Sequence, residues 1–289
     1  MTDEAPGTDP ETIEAPGTDP ETMRQLEQLA LERWPEVIAA IDAVVKRFED
    51  QEHAAQPGTS LAADDRRSDP FRTSHVIQML LNAGIDNLNG IRHLIWGRPG
   101  ASPDRPVLHQ ATHYVLARAA IESFSTALWI LEPASRPVRV ERTLRWYAQN
   151  YRDEDQAIGI LGVPQRPLED KLKRLDEIAE QALGAPLPKR AGYTATQVVK
   201  YADEGSPDAG DRTISTEFLW RLCSGFAHAR IWASLTFQEQ ERRATDDPGV
   251  VAVRMTSNLT RALWPAKEAV HLLERLLKLY DQRNRPHYL

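Results

Sequence analysis

Apolar residues recur every three or four positions along most of the chain, and this spacing predicts amphipathic helices. The predicted helices span residues 23–48, 68–95, 107–131, 137–160, 167–183, 195–202, 215–240 and 259–282. The helix over 107–131 has few polar positions on any face, so we expect it at the centre of the core. Connections between the middle helices are short, which favours antiparallel neighbours. The pattern therefore predicts an all-α, antiparallel bundle of about seven to eight helices.

Several local features interrupt or bound these helices. Pro35 predicts a kink or restart in the first helix, and the polar stretch over residues 56–67 is expected to be a loop. Thr194 is a plausible N-cap for the short helix that follows it. Residues 250–255 are compatible with one short strand, for which the sequence shows no clear partner. No change of composition divides residues 23–289, which we therefore interpret as a single helical domain.

The N-terminal segment, residues 1–22, differs from the rest. A nine-residue motif from Glu4 to Thr12 is repeated from Glu14 to Thr22, with two prolines and one glycine in each copy. The ten-residue period of this repeat fits neither a helix nor a strand. The segment also has almost no apolar residues to bury, so we predict a disordered acidic tail. A solubilising extension is the simpler interpretation, and a partner-binding tail is the alternative.

Charge is distributed unevenly between the tail and the remainder. The chain of 289 residues contains 35 Lys and Arg against 42 Asp and Glu, a net charge of −7. No basic residue precedes Arg24, whereas seven acidic residues do, so the remainder carries 35 of each sign. This balance argues against a strongly cationic nucleic-acid-binding surface.

The composition also indicates a compartment. With 41% hydrophobic and 27% charged residues, the chain resembles a globular protein of aqueous compartments, and no apolar run reaches the length of about 18 residues that spans a membrane. The acidic N-terminal residues do not resemble a secretory signal. Cys223 is the single cysteine and forms no internal disulfide. We therefore expect a cytoplasmic protein without a membrane partner.

The most informative motif lies in the predicted helix over 215–240. Seven helical steps separate Arg221 from His228, about 20° short of two full turns, so both side chains should project from one face. Ser224 lies between them on that face, and Gly225 would allow a close approach by a neighbouring group. Arginine can bind a phosphate while histidine transfers a proton, and this is the chemistry that phosphodiester cleavage requires.

An arginine separated by six residues from a histidine, late in an all-helical domain, resembles the signature of the HEPN (higher eukaryote and prokaryote nucleotide-binding) superfamily. The resemblance implies a metal-independent ribonuclease of toxin or defence type, in which the ribose 2′-hydroxyl attacks the adjacent phosphate and leaves a 2′,3′-cyclic end. It implies Arg221 as the phosphate ligand and His228 as the general acid or base, with two motifs facing each other across a homodimer cleft. The segments 116–122 and 127–133 also resemble uncharacterised actinobacterial all-helical proteins.

Other interpretations of the same helix remain open. Arg221 has an ordinary surface partner in Glu217, four residues earlier, and His228 could be an interior histidine. Leu222 directly follows the arginine where active HEPN proteins commonly have a polar residue, which favours a non-catalytic interaction protein of unknown partner. A Ser224–His228 nucleophile pair has workable spacing but no visible third member.

Two further pairs occupy positions four residues apart in the predicted helix over 107–131. Arg118 and Glu122 are expected to form an ion pair that either fixes the helix register or supports the Arg221–His228 face. His109 and His113 are better explained as partly exposed helix histidines than as metal ligands, because no third ligand accompanies them. The sequence gives no phosphate loop or dinucleotide motif, so we expect neither a cofactor nor a metal.

The remaining hypotheses concern surfaces. Four arginines at three-residue intervals wind around the helix over 137–160, and we expect a solvated face there rather than an RNA-binding strip. The leucine-rich stripe of the last helix is a candidate homodimer interface. RNA, a second copy and another protein are thus the partners to be tested.

Overall fold

A computed structural model describes residues 20–50, 54–97, 106–188, 191–206 and 214–286. Within these ranges the chain forms ten helices and one two-stranded antiparallel sheet, so the fold is mostly all-α, but it has more helices than the predicted seven to eight and a small sheet that the fold class did not include. The helices are α1 (Pro20–Asp50), α2 (Ser60–Ser68), α3 (Thr73–Trp96), α4 (Thr112–Leu131), α5 (Arg136–Leu161), α6 (Leu168–Leu183), α7 (Ala195–Glu204), α8 (Thr216–Ala227), α9 (Ile231–Phe237) and α10 (Leu259–Arg283). The strands are β1 (Glu239–Ala244) and β2 (Val251–Thr256).

Helix α4 lies at the centre of the core, as its apolar sequence predicts. It packs against α3, α7, α8 and α10, and most of its residues from Ala120 onwards are buried. At Gly84 of α3 a Cβ atom would overlap the ring of Phe124 on α4, so the missing side chain allows the two helices to approach closely. Among the described residues α4 alone is long and apolar enough to cross a membrane, but 67% of its most apolar window is buried inside the protein. It therefore behaves as a core helix.

The leucine stripe of α10 is buried in this core. Leu272, Leu273, Leu276 and Tyr280 are almost completely buried, and α10 packs along α1 and α4. The stripe is therefore part of the fold of one chain and offers no apolar surface for a dimer. A dimer interface, if formed, has to use another face.

A smaller apolar cluster joins α5 to α6. Val140 and Leu144 of α5 share this cluster with Leu175 and Ile178 of α6, and the ring of Phe71 packs against Tyr147 at 4.9 Å between ring centroids. The bounds of α5 and α6 lie within one residue of those predicted. Gly162 and Gly184 end α5 and α6 in the left-handed conformation that glycine adopts without steric cost.

Helix α2 replaces most of the loop that the polar stretch over 56–67 predicts. Thr59 caps it by accepting a hydrogen bond from the Ala62 amide at 3.1 Å, and its buried face includes Leu61 and Asp64. The stretch lacks an apolar stripe because ionic contacts, rather than apolar packing, hold much of this helix in place.

The long helix predicted over 215–240 is wrong, because the chain leaves the helix at His228. Ala229 has φ 49°, its amide donates to Phe226 O, and the Arg230 amide donates to Gly225 O at 2.8 Å. This is the Schellman arrangement, in which glycine usually occupies the left-handed position. Alanine there gave no stop signal in the sequence.

A short helix and a hairpin occupy the rest of that predicted helix. Helix α9 turns back over α8, and a Cβ at Gly225 would overlap Trp232 and Ala233, so Gly225 admits this helix. Strand β1 then pairs with β2 in the register Glu239 to Thr256. The strand predicted near residues 250–255 therefore exists, and its partner is β1, of which only the first two residues lie in the helix predicted over 215–240.

The first 19 residues, most of the duplicated tail, lie outside the described residues. Helix α1 begins at Pro20, three residues before the predicted start of the domain, and continues through Pro35 as one helix. The short helix α7 begins after Thr194, whose hydroxyl accepts from the Gln197 amide at 3.2 Å, so the predicted N-cap is confirmed.

Candidate functional site

Helix α8 carries Arg221 and Ser224, and His228 lies at its C-terminal end. Arg221 is exposed on the helix, with 53% of its side chain accessible, and Ser224 is half-buried one turn later. His228 is exposed and forms the C-cap, with φ −105° and ψ 16°. Because it lies beyond the last helical residue, helical periodicity alone does not fix its direction. Both side chains reach solvent, so neither is an interior residue.

Arg118 of α4 joins this surface through Ser224. Its Nε donates a 2.8 Å hydrogen bond to Ser224 Oγ, and its Nη2 lies 3.2 Å from Glu122 Oε2 in the predicted ion pair. The guanidinium also lies over the ring of Trp220, 5.6 Å from the centroid. About a third of each charged side chain is accessible. Arg118 therefore lies beside the exposed side of α8, at the height of Ser224.

Trp220 completes this cluster and was not identified from the sequence. Its indole Nε1 donates to Glu122 Oε2 at 3.2 Å, and its carbonyl accepts from Ser224 Oγ at 2.9 Å. The four side chains of Arg118, Glu122, Trp220 and Ser224 thus form one hydrogen-bonded network, which we call the α4–α8 cluster. The available signal was the position of Trp220 one helical turn before Ser224.

Carboxylates accompany both arginines of this surface. Arg221 pairs with Glu217 at 2.8 Å, which is the ordinary surface contact expected from their spacing, and Lys200 Nζ lies 3.8 Å from the same carboxylate oxygen. Arg118 is balanced by Glu122. An anion that binds here therefore competes with two intrahelical partners for the guanidinium groups.

The structure disfavours both Ser224 and Cys223 as nucleophiles. The Ser224 hydroxyl donates to the Trp220 carbonyl one turn earlier, and its lone pair accepts from Arg118. Cys223 is completely buried, and burial raises the pKa of its thiol well above the usual range. A thiolate nucleophile at that position is therefore disfavoured.

The two histidines considered as metal ligands do not share a helix. His109 is exposed and precedes α4, whereas His113 is 1% exposed in the first turn, which corrects the expectation of two partly exposed helix residues. Burial, with a smaller contribution from nearby His109, lowers the pKa of His113 from 6.5 to about 4. No group of three or more His, Cys, Asp or Glu side chains in the described part of the chain is arranged to hold a metal.

Most arginines of α5 are not solvated as expected: Arg136 is exposed, but Arg139 is buried and Arg142 and Arg145 are partly buried. Arg139 is buried and bonds both carboxylate oxygens of Asp64, at 2.6 and 2.8 Å. Arg142 lies between the rings of Trp129 and Tyr201, with its Cζ 5.0 and 4.5 Å from their centroids. These contacts attach α5 to α2, α4 and α7, so Arg139 and Arg142 stabilise the fold.

Comparison of the chain with protein families, with curated proteins and with solved structures gives no significant match.

Proposed function

We propose that the exposed side of α8, with Arg118 beside it, is a phosphate-binding surface of a cytoplasmic, HEPN-like ribonuclease of toxin or defence type. The supporting observation is the hydrogen bond from Arg118 Nε to Ser224 Oγ, which holds a second guanidinium against the helix that carries Arg221 and ends at His228. Two arginines beside a solvent-accessible imidazole match the needs of phosphodiester cleavage.

In the proposed reaction the ribose 2′-oxygen forms a bond to the adjacent phosphorus while its proton passes to a neutral imidazole. The bond from phosphorus to the 5′-oxygen breaks, and the leaving oxygen takes a proton from an imidazolium. The products are a 2′,3′-cyclic phosphate and a 5′-hydroxyl end. A homodimer supplies the two histidines, one His228 from each copy, while Arg221 and Arg118 stabilise the charge on the phosphoryl oxygens.

Glu122 and Trp220 act as positioning residues in this scheme. They hold Arg118 through an ion pair and through ring contact, and both lie in the α4–α8 cluster. Ser224 fixes the direction of the same guanidinium. Their predicted supporting role depends on Arg118 and not on contact with substrate.

The experiment compares the purified protein with His228→Ala and Arg221→Ala on structured and unstructured RNA in EDTA. The expected result is cleavage to 2′,3′-cyclic ends by the parent protein, with a loss of about a hundredfold or more in the histidine variant. His75→Ala, at an exposed histidine of α3, is the matched control and should retain full activity. Intact RNA with folded parent protein, or equal rates in His228→Ala, overturns the proposed catalysis.

A second function, a non-catalytic interaction protein, is favoured by the surface of α9. Ile231, Trp232 and Leu235 are 70%, 44% and 41% exposed on a single short helix adjacent to His228. Large apolar residues grouped in this way are typical of protein contact surfaces. Trp232→Glu should abolish self-association in light scattering if a second copy covers this helix, and a monomeric parent protein at micromolar concentration contradicts that interface.

A further inference from the structure

A cavity of about 520 Å³ lies between α1, α8 and α10, away from the residues of the proposed nuclease surface. Its walls include Val37 of α1, Leu219 of α8, and Trp264 and Val270 of α10. Ligand pockets commonly measure about 300–1,000 Å³ and are lined mainly by apolar and aromatic groups. This cavity has the size and the lining of a small-molecule site.

A buried carboxylate lies in the wall of the cavity. Glu268 is only 8% exposed, its Oε1 accepts a 2.5 Å hydrogen bond from Thr216 Oγ1, and its Oε2 lies 4.0 Å from His271 Nδ1. Removing a carboxylate from water costs several kcal/mol unless cationic or hydrogen-bonding groups compensate it. A cation that enters the cavity would meet a carboxylate that is largely buried, and water screens a buried charge less than an exposed one.

The rim of the cavity also carries mainly negative charge. Glu36 and Glu274 are exposed carboxylates there, against the ammonium group of Lys267 and the imidazole of His271. Glu36 also pairs with Arg33 at 3.1 Å, which weakens its contribution, so Glu268 is the carboxylate that decides the specificity. Trp264 adds an aromatic surface, and aromatic rings attract cations as well as apolar groups.

We propose that this cavity binds a small organic cation, with its positive group at Glu268 and its apolar part against Trp264, Leu219 and Val37. A primary ammonium attached to a hydrocarbon the size of one aromatic ring would place its charge at Glu268 and its hydrocarbon against the apolar walls. A carboxylate or phosphate ligand would instead meet three glutamates, so the cavity selects against anions.

The test uses three matched probes with the full chain: 2-phenylethylammonium, the neutral 2-phenylethanol and the anionic 3-phenylpropionate. Calorimetric titration should show binding of the cation at millimolar concentration, about tenfold weaker binding of the alcohol, and none of the anion. Glu268→Gln should weaken binding of the cation about tenfold and leave the affinity for the alcohol unchanged. Glu32→Gln, at an exposed residue of α1 outside the cavity wall, is the matched control.

A second variant protects the test against misfolding of Glu268→Gln. Ala40 is a half-buried residue of the cavity wall, and Ala40→Phe should fill the space and weaken the cation and the alcohol alike. Equal affinity of the parent protein for cation and anion overturns the proposal. So does the absence of cation binding up to the solubility limit, or an unchanged cation affinity in folded Glu268→Gln. RNA cleavage is independent of each outcome.

Discussion

Arg118 and Ser224, separated by 106 residues in the chain, are joined by a 2.8 Å hydrogen bond from the guanidinium Nε to the hydroxyl oxygen. The bond links the central helix α4 to α8, which carries the exposed Arg221 and ends at the exposed His228. The Ser224 hydroxyl in turn donates a hydrogen bond to the Trp220 carbonyl oxygen. One hydroxyl thus couples the core to the surface proposed to bind phosphate.

The first prediction concerns this bond. Ser224→Ala should lower the free energy of unfolding by about 1–2 kcal/mol, because a hydrogen bond to a charged donor is lost at a half-buried site. Arg118→Ala should cost a similar amount, and the double variant should cost less than the two single changes together. Urea unfolding of the four proteins gives the coupling energy. Strict additivity would show that the two side chains do not stabilise each other.

The second prediction concerns the buried ion pair of α2 and α5. Asp64→Asn should destabilise the protein by about 3 kcal/mol or more, because Arg139 would remain buried without its counter-charge. Glu177→Gln removes an ion pair on α6 whose partners are both almost half exposed, and it should change stability by less than about 0.5 kcal/mol. Thermal and urea unfolding compare the two variants. Similar effects for both would contradict the assigned burial.

This contrast shows where the sequence is informative. Periodicity predicts α6 and α10 almost to the residue, because each buries one apolar stripe, and it predicts the end but not the start of α4, which begins five residues later than expected. It misses α2, whose buried face contains Asp64, since a buried aspartate and a solvent-facing one look alike in a sequence. The partner that makes the burial possible, Arg139, lies 75 residues away.

The same reasoning explains the candidate site. Spacing correctly predicts the local pairs Arg118–Glu122 and Arg221–Glu217, because residues four apart on a helix are neighbours. The end of α8 at His228 depends on a left-handed Ala229, where glycine would have been the signal. The Arg118–Ser224 contact between two helices has no sequence signature, and neither does the cavity around Glu268.

The third prediction concerns pH. The pKa of buried His113 is lowered to about 4 from 6.5, so between these values the unfolded chain binds more protons than the folded one. Stability contributed by the neutral ring is therefore complete above pH 6.5 and falls as the pH drops towards 4, by about 3 kcal/mol in total.

His113→Leu should remove this part of the pH dependence. Neither ring nitrogen of His113 has a hydrogen-bond partner among the described residues, so the variant should be at least as stable as the parent at pH 7 and clearly more stable at pH 5. Urea unfolding at both values measures the difference, with the exposed His75→Gln as the control. Parallel pH profiles for parent and His113→Leu would contradict the assigned pKa.

The last prediction uses the pairing of Arg221 to test whether RNA binds at α8. Glu217 accepts from Arg221 Nε at 2.8 Å, so a phosphate has to displace this carboxylate and overcome its repulsion. Glu217→Gln keeps the shape of the side chain but removes its charge, and it should strengthen binding of single-stranded RNA by about three- to tenfold at low salt. Fluorescence anisotropy at two salt concentrations measures the change, which should shrink as salt rises because screening weakens both the repulsion and the attraction. Glu177→Gln on α6 makes the same change in net charge away from α8, and an equal gain in that variant would mean that RNA responds only to net charge and that Arg221 does not contact it.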